Sequence, residues 1–190
     1  QLAFCQHQGW DVSDYNLASH PAQQAMLAMF TELAGEPIDI VGVDGCTLPA
    51  PRLSLVGFAR ALAKIAAPDL LKGVMSKSAE QIMASTMQFP FLTGGSKSPN
   101  SIMTAASSKK FFAKNGAEGV YAVILPEARA AMALKITDGS MRAADVAIAG
   151  MLSQMAEHLN LDKDMLNKFS VEDMYNLSLI HISEPTRHSI

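Results

Sequence analysis

Apolar residues recur at helical spacing along much of this chain, with glycine or proline at the ends of the runs. The clearest run follows His20-Pro21, because proline suits the first turn of a helix, and it ends at Gly35, a residue that commonly closes one. A later run begins at Ser140, whose hydroxyl can cap the first turn. Helices are therefore predicted over residues 2–7, 20–35, 53–66, 69–87, 101–106 and 140–159.

Two of these predicted segments carry specific expectations. The helix over 53–66 is expected to bury one apolar face, formed by Leu55, Phe58, Ala59, Leu62 and Ile65. The segment around Pro90, Gly94, Gly95 and Pro99 is rich in turn-forming residues, so it is predicted to be a loop.

Three apolar runs, over residues 110–114, 120–125 and 131–136, predict strands. Connections of four or five residues favour hairpins and hence antiparallel neighbours. A fourth strand is predicted over residues 38–43, running into the turn Asp44-Gly45. The helix that follows the three strands should cover one side of the sheet with the stripe Ala144, Ile148, Met151, Leu152, Met155 and Leu159. Residues 1–176 are therefore predicted to form one α+β domain, an antiparallel sheet covered by helices.

Composition excludes several classes of protein. Of 190 residues, 49% are hydrophobic and 17% are charged, which is ordinary for a folded protein and too apolar for a disordered one. A net charge of -3 gives no basic footprint for nucleic acid or an anionic membrane. No apolar run approaches the roughly 20 residues that a membrane helix needs. Cys5 and Cys46 cannot form a disulfide framework, so we expect free thiols in a reducing cytoplasm.

Native sequence is expected to be missing at both ends of this chain. It begins at Gln1 without an initiator methionine and enters a helical pattern at once, so preceding sequence is expected. Residues 177–187 resemble one translated reading frame of an adapter used in DNA library preparation. Residues 177–190 are therefore interpreted as a non-native tail, and neither the strand-like run at its start nor His181 and His188 receives a functional role.

Four segments, in order, resemble the asparaginase II family of bacterial L-asparagine amidohydrolases. The resemblance covers almost all of residues 1–160. It rests on Leu2-Ala3 through Gly9-Trp10 with the His20-Pro21 helix, on Val43-Asp44-Gly45-Cys46 with Pro49, on Pro90-Phe91-Leu92-Thr93-Gly94-Gly95, and on Ala113-Lys114-Asn115-Gly116-Ala117-Glu118-Gly119-Val120 followed by Ala133-Leu134-Lys135-Ile136-Thr137-Asp138-Gly139 and Arg142-Ala143-Ala144. Phe89 and Gly95 depart from the family pattern, which has histidine and threonine there.

The resemblance implies a partial domain of the serine β-lactamase and penicillin-binding type, with an active-site strand that carries a Lys-Thr-Gly motif. Here that position reads Lys114-Asn115-Gly116, with Asn in place of Thr. Lys114 is the implied catalytic residue, and on an inner strand beside another cation its pKa would fall; the alternative is a solvated lysine at a strand end. Asn115, Gly116, Ala117 and Glu118 are the implied substrate-binding residues. The Glu118 carboxylate could support Lys114 across the turn, or Glu118 could equally be a surface turn residue.

The resemblance also implies roles for Asp44 and Cys46. Asp44 would pair with the ammonium group of a free amino acid, whereas without the resemblance it is a plain Asp-Gly turn. Cys46 has two interpretations, a zinc ligand in the intact protein or a small buried hydrophobe. No zinc is expected in the fragment, since one surviving ligand cannot hold the metal.

The implied activity is hydrolysis of L-asparagine to aspartate and ammonia by the intact protein. The family's Ser-x-x-Lys nucleophile is expected upstream of Gln1, so the fragment itself is expected to be inactive. The alternatives are another serine acyl-enzyme of the β-lactamase or penicillin-binding type, and a non-catalytic fragment. The expected ligand is the small molecule L-asparagine, with no nucleic acid or membrane partner, and a homodimer is left open.

Overall fold

The computed structural model describes residues 1–38 and 41–170, together with the backbone of residues 174–175 and 181–183. The chain forms two compact units, residues 1–64 and residues 65–190. Each unit contains helices and small antiparallel sheets, which confirms the predicted α+β class. In the described part of the chain, no helix is both long and apolar enough to cross a membrane.

The first unit contains three helices and a two-stranded hairpin. In order, these are α1 (Leu2–Gln8), α2 (Pro21–Ala34), β1 (Val41–Val43), β2 (Pro49–Pro51) and α3 (Leu55–Ala66), whose last two residues belong to the second unit. The ends of α2 confirm the prediction. His20 Nδ1 accepts the Ala22 amide at 3.1 Å, and Gly35 closes the helix in the left-handed conformation with φ 65°.

Two predictions for this unit were wrong in part. The strand expected over 38–43 is described only as Val41–Val43, and Asp39 and Ile40 lie outside the described residues. Its partner β2 was not predicted, because Pro49 and Pro51 cannot donate ladder hydrogen bonds and are unusual in strands. The apolar face of α3 was expected to be buried, but Leu55, its first residue, is 47% exposed, and the other four residues are only half-buried: Phe58, Ala59, Leu62 and Ile65.

After the last two residues of α3, the second unit continues with a 3-10 turn over Pro68–Leu70, five helices and three strands. These are α4 (Val74–Gln88), α5 (Phe91–Gly94), α6 (Pro99–Ala106), β3 (Phe112–Asn115), β4 (Val120–Leu125), β5 (Ala130–Lys135), α7 (Met141–Gln154) and α8 (Lys163–Asn167). A last pair of antiparallel strands, β6 (Met174–Tyr175) and β7 (His181–Ser183), follows. The helix predicted over 69–87 is interrupted before α4, where Gly73 has φ 58°. The predicted loop around Pro90 contains the short helix α5.

The three-stranded sheet has the order β3-β4-β5 and is antiparallel throughout, as predicted. One face packs against α7 and α8 in a buried core that includes Phe111, Ala113, Tyr121, Val123, Leu125, Met132, Leu134, Ala144, Ile148 and Leu152. Ser140 Oγ accepts the Ala143 amide at 3.3 Å and so caps α7 as predicted. Met151 and Met155 are 38% and 44% exposed, so that part of the predicted stripe was wrong; Met155 lies beyond the end of the helix.

Candidate functional site

The predicted substrate-binding segment forms the tight turn between β3 and β4. Gly116 N donates to Val120 O at 2.8 Å, and Val120 N donates to Ala117 O at 3.2 Å. Glu118 and Gly119 both adopt positive φ, 56° and 67°, which reverses the chain within few residues. The turn therefore exposes Gly116, Ala117 and Glu118 at one end of the sheet.

Lys114 lies immediately before this turn, with its Cα opposite Ala122 of β4. Its side chain is exposed, and Nζ donates to Asn115 O at 2.7 Å and to Asn115 Oδ1 at 3.1 Å. Strand β3 is at the edge of the described sheet, so the expectation that Lys114 lies on an inner strand was wrong. An exposed amine held by two neutral oxygens is available to an anionic ligand.

Glu118 was left with two interpretations, a carboxylate that supports Lys114 and a residue of the turn. A Cβ placed on Gly139 would lie only 2.7 Å from Glu118 Oε2, so the carboxylate lies directly over that glycine. Gly139 belongs to the connection between β5 and α7. This contact favours the interpretation of Glu118 as a residue of the turn.

Tyr121 packs beneath the β3–β4 hairpin, in the core of the second unit. It is opposite Asn115 in the sheet register and is fully buried, with its ring in the core shared with α7. Burial, and secondarily the nearby Asp145 carboxylate, raise the pKa of the Tyr121 hydroxyl far above its usual range. The phenol therefore stays neutral, and Tyr121 holds the hairpin by packing without supplying a charge.

The second group of predicted residues lies in the first unit, in the turn between β1 and β2. Asp44 N donates to Leu48 O at 2.9 Å, and Thr47 N donates to Asp44 O at 2.8 Å. The Asp44 carboxylate accepts the Gly45 amide at 2.7 Å on Oδ1 and the Cys46 thiol at 3.3 Å on Oδ2. Asp44 thus serves the local turn, as a plain Asp-Gly turn requires, while its side chain stays exposed.

Cys46 is exposed, which argues against the interpretation of this residue as a small buried hydrophobe. The other cysteine, Cys5, is fully buried in α1. Within the described residues, no group of three or more His, Cys, Asp or Glu side chains could hold a metal ion. Cys46 with Asp44 therefore offers at most two donors from this part of the chain.

A carboxylate closes the base of the loop that carries Asp44 and Cys46. Glu36 accepts the Ser54 amide on Oε1 and the Ser54 hydroxyl on Oε2, both at 2.7 Å. Ser54 Oγ in turn accepts the Gly57 amide at 2.8 Å, in the first turn of α3. The Ser54 hydroxyl and amide, followed by the charge of Arg60, lower the pKa of Glu36. The ends of the loop are thus joined by charge-assisted hydrogen bonds.

A row of polar side chains on α6 and on the residue after it was not predicted. Asn100, Thr104 and Ser107 are buried and hydrogen-bond the backbone of β3 and of the residue before it. Their spacing of four and three residues puts them on one face of a helix. Because this spacing occurs just before a strand predicted from residue 110, it could have predicted a polar helix face directed at that strand.

A Ser-x-x-Lys string occurs inside the chain at Ser107–Lys110, but it lacks the arrangement of a nucleophile with its base. Ser107 Oγ is buried and donates to Thr104 O at 2.8 Å. Lys110 Nζ instead donates to Asn160 O. The two side chains therefore serve separate backbone contacts.

An apolar groove of about 430 Å³ lies elsewhere in the second unit, between the end of α4 and α6. Phe89, Phe91 and Leu92 contribute to its lining and are 51%, 48% and 85% exposed. None of the predicted site residues lines this groove.

Comparison with known families matches the L-asparaginase II family model to residues 1–185 of the chain. The match covers nearly the whole sequence, and it includes both predicted groups of site residues. The chain therefore belongs to the L-asparaginase II family. The match also extends over residues 177–185, and the interpretation of that segment as adapter sequence stays a prediction. No curated protein matches the chain.

Proposed function

We propose that the intact protein hydrolyses the side-chain amide of L-asparagine, converting asparagine and water to aspartate and ammonia. Membership of the L-asparaginase II family over residues 1–185 is the observation that carries this proposal. Amide hydrolysis needs a nucleophile, a group that accepts its proton and donors for the developing oxyanion.

Lys114 is the proposed catalytic residue of this part of the chain. Its amine is exposed and bound by the oxygens of Asn115, which are weaker partners than a carboxylate. A substrate carboxylate or a proton acceptor could replace them at small cost. Asn115, Gly116, Ala117 and Glu118 are the proposed substrate-binding residues, in the turn next to the amine.

Asp44 is the proposed partner of the substrate's ammonium group, because its carboxylate is exposed and accepts only neutral donors from Gly45 and Cys46. The proposed nucleophile is a Ser-x-x-Lys serine contributed by sequence upstream of Gln1. The Ser107–Lys110 string does not replace it, since its two polar side chains are directed to separate carbonyls. The 190-residue chain alone is therefore proposed to be inactive.

Zinc in the intact protein remains a proposal about Cys46. A thiolate and a carboxylate are suitable zinc ligands, and Cys46 Sγ lies 3.3 Å from Asp44 Oδ2. The described residues provide no third donor at this turn, so they do not form a zinc site by themselves. No step of the proposed hydrolysis depends on the metal. An exposed thiol is also suited to a reducing compartment, and the cytoplasm is the proposed location.

The test is to extend the gene at both ends, express the protein and measure ammonia release from L-asparagine. Lys114→Met should reduce kcat by roughly a hundredfold or more, since a positioned acid–base group contributes about 10²–10⁴-fold. Lys77→Met is the matched control, because Lys77 is an exposed lysine of α4. It should leave kcat and KM unchanged.

Three outcomes would each contradict a part of the proposal. Full activity of Lys114→Met would remove the catalytic role of that lysine. An extended protein that folds but releases no ammonia from L-asparagine would remove the proposed reaction itself. Activity in the unextended 190-residue chain would instead show that the nucleophile lies within it.

A further inference from the structure

Strand β3 lies at the edge of the described three-stranded sheet, so some of its backbone groups point away from β4. In an antiparallel pair, residues that exchange hydrogen bonds alternate with residues that do not. Gly116 N donates to Val120 O at 2.8 Å, which makes that pair a bonded one. Counting back along the strand, the backbone groups of Asn115, Ala113 and Phe111 must point outward.

Side chains of helix α6 and of Ser107, the residue after it, cover the outward groups of the two earlier residues. The Ala113 amide donates to Thr104 Oγ1 at 3.0 Å, and Asn100 Nδ2 donates to Ala113 O at 3.5 Å. The Phe111 amide donates to Ser107 Oγ at 3.4 Å. The side chains of α6 and Ser107 thus take the place of a neighbouring strand, in an interior where an unpaired amide is costly.

Asn100 itself is held in one orientation. It is fully buried, and Ser98 Oγ donates to its Oδ1. The amide oxygen is therefore occupied, and the nitrogen faces the Ala113 carbonyl. A Cβ added to Gly94 would meet Asn100 Nδ2 at 2.8 Å, so α5 closes over the same side chain.

These hydrogen bonds to the outward backbone groups of β3 end at Ala113, one residue before Lys114. Asn115 is the next outward-facing residue, and its carbonyl accepts the Lys114 amine at 2.7 Å. We propose that Asn100 and Thr104 are positioning residues, which hold the Ala113 backbone and so fix where the edge of the sheet presents Lys114. This inference rests on the proposed catalytic function of Lys114.

The reason that this position matters is the alternation of side chains along a strand. A displacement of β3 by one residue would turn Lys114 toward the core face occupied by Phe111 and Ala113. Backbone bonds to β4 alone leave an edge strand free to open locally. The contacts from α6 act on the residue adjacent to Lys114, so they oppose this opening at the place where it would move the amine.

The first measurement uses the 190-residue chain and does not depend on activity. Thr104→Val removes the acceptor of the Ala113 amide, so hydrogen exchange at that amide should accelerate by about tenfold or more. Thr104→Ser keeps an acceptor and should restore slow exchange. Thr86→Val is the control, because Thr86 Oγ1 donates to Ile82 O at 2.8 Å and to Met83 O at 3.2 Å, so both hydrogen bonds stay within α4. Should Thr104→Val fail to fold, Thr104→Ala gives a smaller side chain for the same comparison.

The second measurement uses the extended enzyme. Thr104→Val should lower kcat by roughly tenfold to a hundredfold, the effect of a small displacement of a catalytic group, while KM changes less than about twofold. It should also shift the pH profile of kcat/KM, which loss of stability alone would not do. Thr104→Ser should recover most of the activity, and Thr86→Val should match the wild type.

The outcomes separate this inference from the proposed function. Unchanged exchange at Ala113 in Thr104→Val overturns the inference. Faster exchange with unchanged kcat and pH profile also overturns it and leaves the proposed hydrolysis intact. Full activity of Lys114→Met removes the proposed function of the lysine, and the positioning role with it, whatever the exchange data show.

Discussion

Gly119 gives the sharpest test of how the hairpin that carries Lys114 is held. Its φ is 67°, and its carbonyl accepts the Ile136 amide at 3.0 Å. A Cβ added to Gly119 would lie 2.8 Å from Ile136 Cβ and 3.1 Å from the Gly139 carbonyl carbon. The backbone of the turn therefore packs directly against the connection between β5 and α7, where only glycine fits.

Two independent costs follow for Gly119→Ala. The left-handed conformation costs an alanine about 1–2 kcal/mol. Overlap with a branched Cβ and with backbone adds about 1–3 kcal/mol, because neither neighbour can rotate away. The free energy of unfolding of the second unit should thus fall by about 2–5 kcal/mol, a large share of the about 5–15 kcal/mol typical of a domain.

Urea unfolding followed by far-ultraviolet circular dichroism measures this loss. With a slope of about 2 kcal/mol per molar, the midpoint should fall by about 1–2.5 M. Trp10, the single tryptophan, lies in the first unit against Phe4, so its fluorescence reports on the unit that does not contain Gly119. A fluorescence transition that stays in place indicates a local effect.

Gly150→Ala is the control within the same unit. Gly150 lies in the middle of α7, and a Cβ there would meet nothing within 4 Å. This substitution should raise stability by about 0.5–1 kcal/mol, since alanine is the better helix former. If Gly119→Ala shifts the midpoint no more than Gly150→Ala does, the close approach of Gly119 to Ile136 and Gly139 is refuted.

Two further predictions concern pH. Because Ser54 lowers the pKa of Glu36 below its usual 4.5, the ionised carboxylate stabilises the first unit above pH 4.5, and this stabilisation should disappear as the pH falls through the lowered pKa. The difference in Trp10-monitored stability between wild type and Glu36→Gln should therefore shrink on acidification, and a constant difference would contradict it. Because burial raises the pKa of Tyr121 above 10.0, the folded state should lose stability as pH rises through 10.0, and Tyr121→Phe should remove that contribution. In an alkaline titration, the phenolate absorbance of Tyr121 should appear only together with unfolding.

The elements that could be predicted are those with local chemical signals. The helix between His20 and Gly35 has a side-chain cap at one end and a left-handed glycine at the other, and both occur as expected. The strands β3, β4 and β5 were predicted to within two residues at each end, because short connections leave few arrangements other than hairpins. Local propensity and tertiary packing agree in these segments.

The features that could not be predicted depend on neighbours distant in sequence. Strand β2 contains two prolines and pairs only because Val41–Val43 lies beside it. Glu36 and Ser54 are 18 residues apart, and no local pattern connects them. The exposure of Leu55 and Cys46 likewise follows from where the chain packs and not from residue type.

The candidate site residues share a property that bears on how they could act. Asp44 is bound by its own turn, and Lys114 is bound by the residue that follows it. Both side chains are exposed, so water already screens these contacts and each is worth little. At either residue, a ligand bound as proposed would therefore exchange weak neutral partners for a charged one. The gain in binding free energy comes from that difference, because a charge-assisted hydrogen bond is about twice as strong as one between neutral groups. Binding at these residues should accordingly weaken with added salt, as expected for ionic contacts formed near the surface.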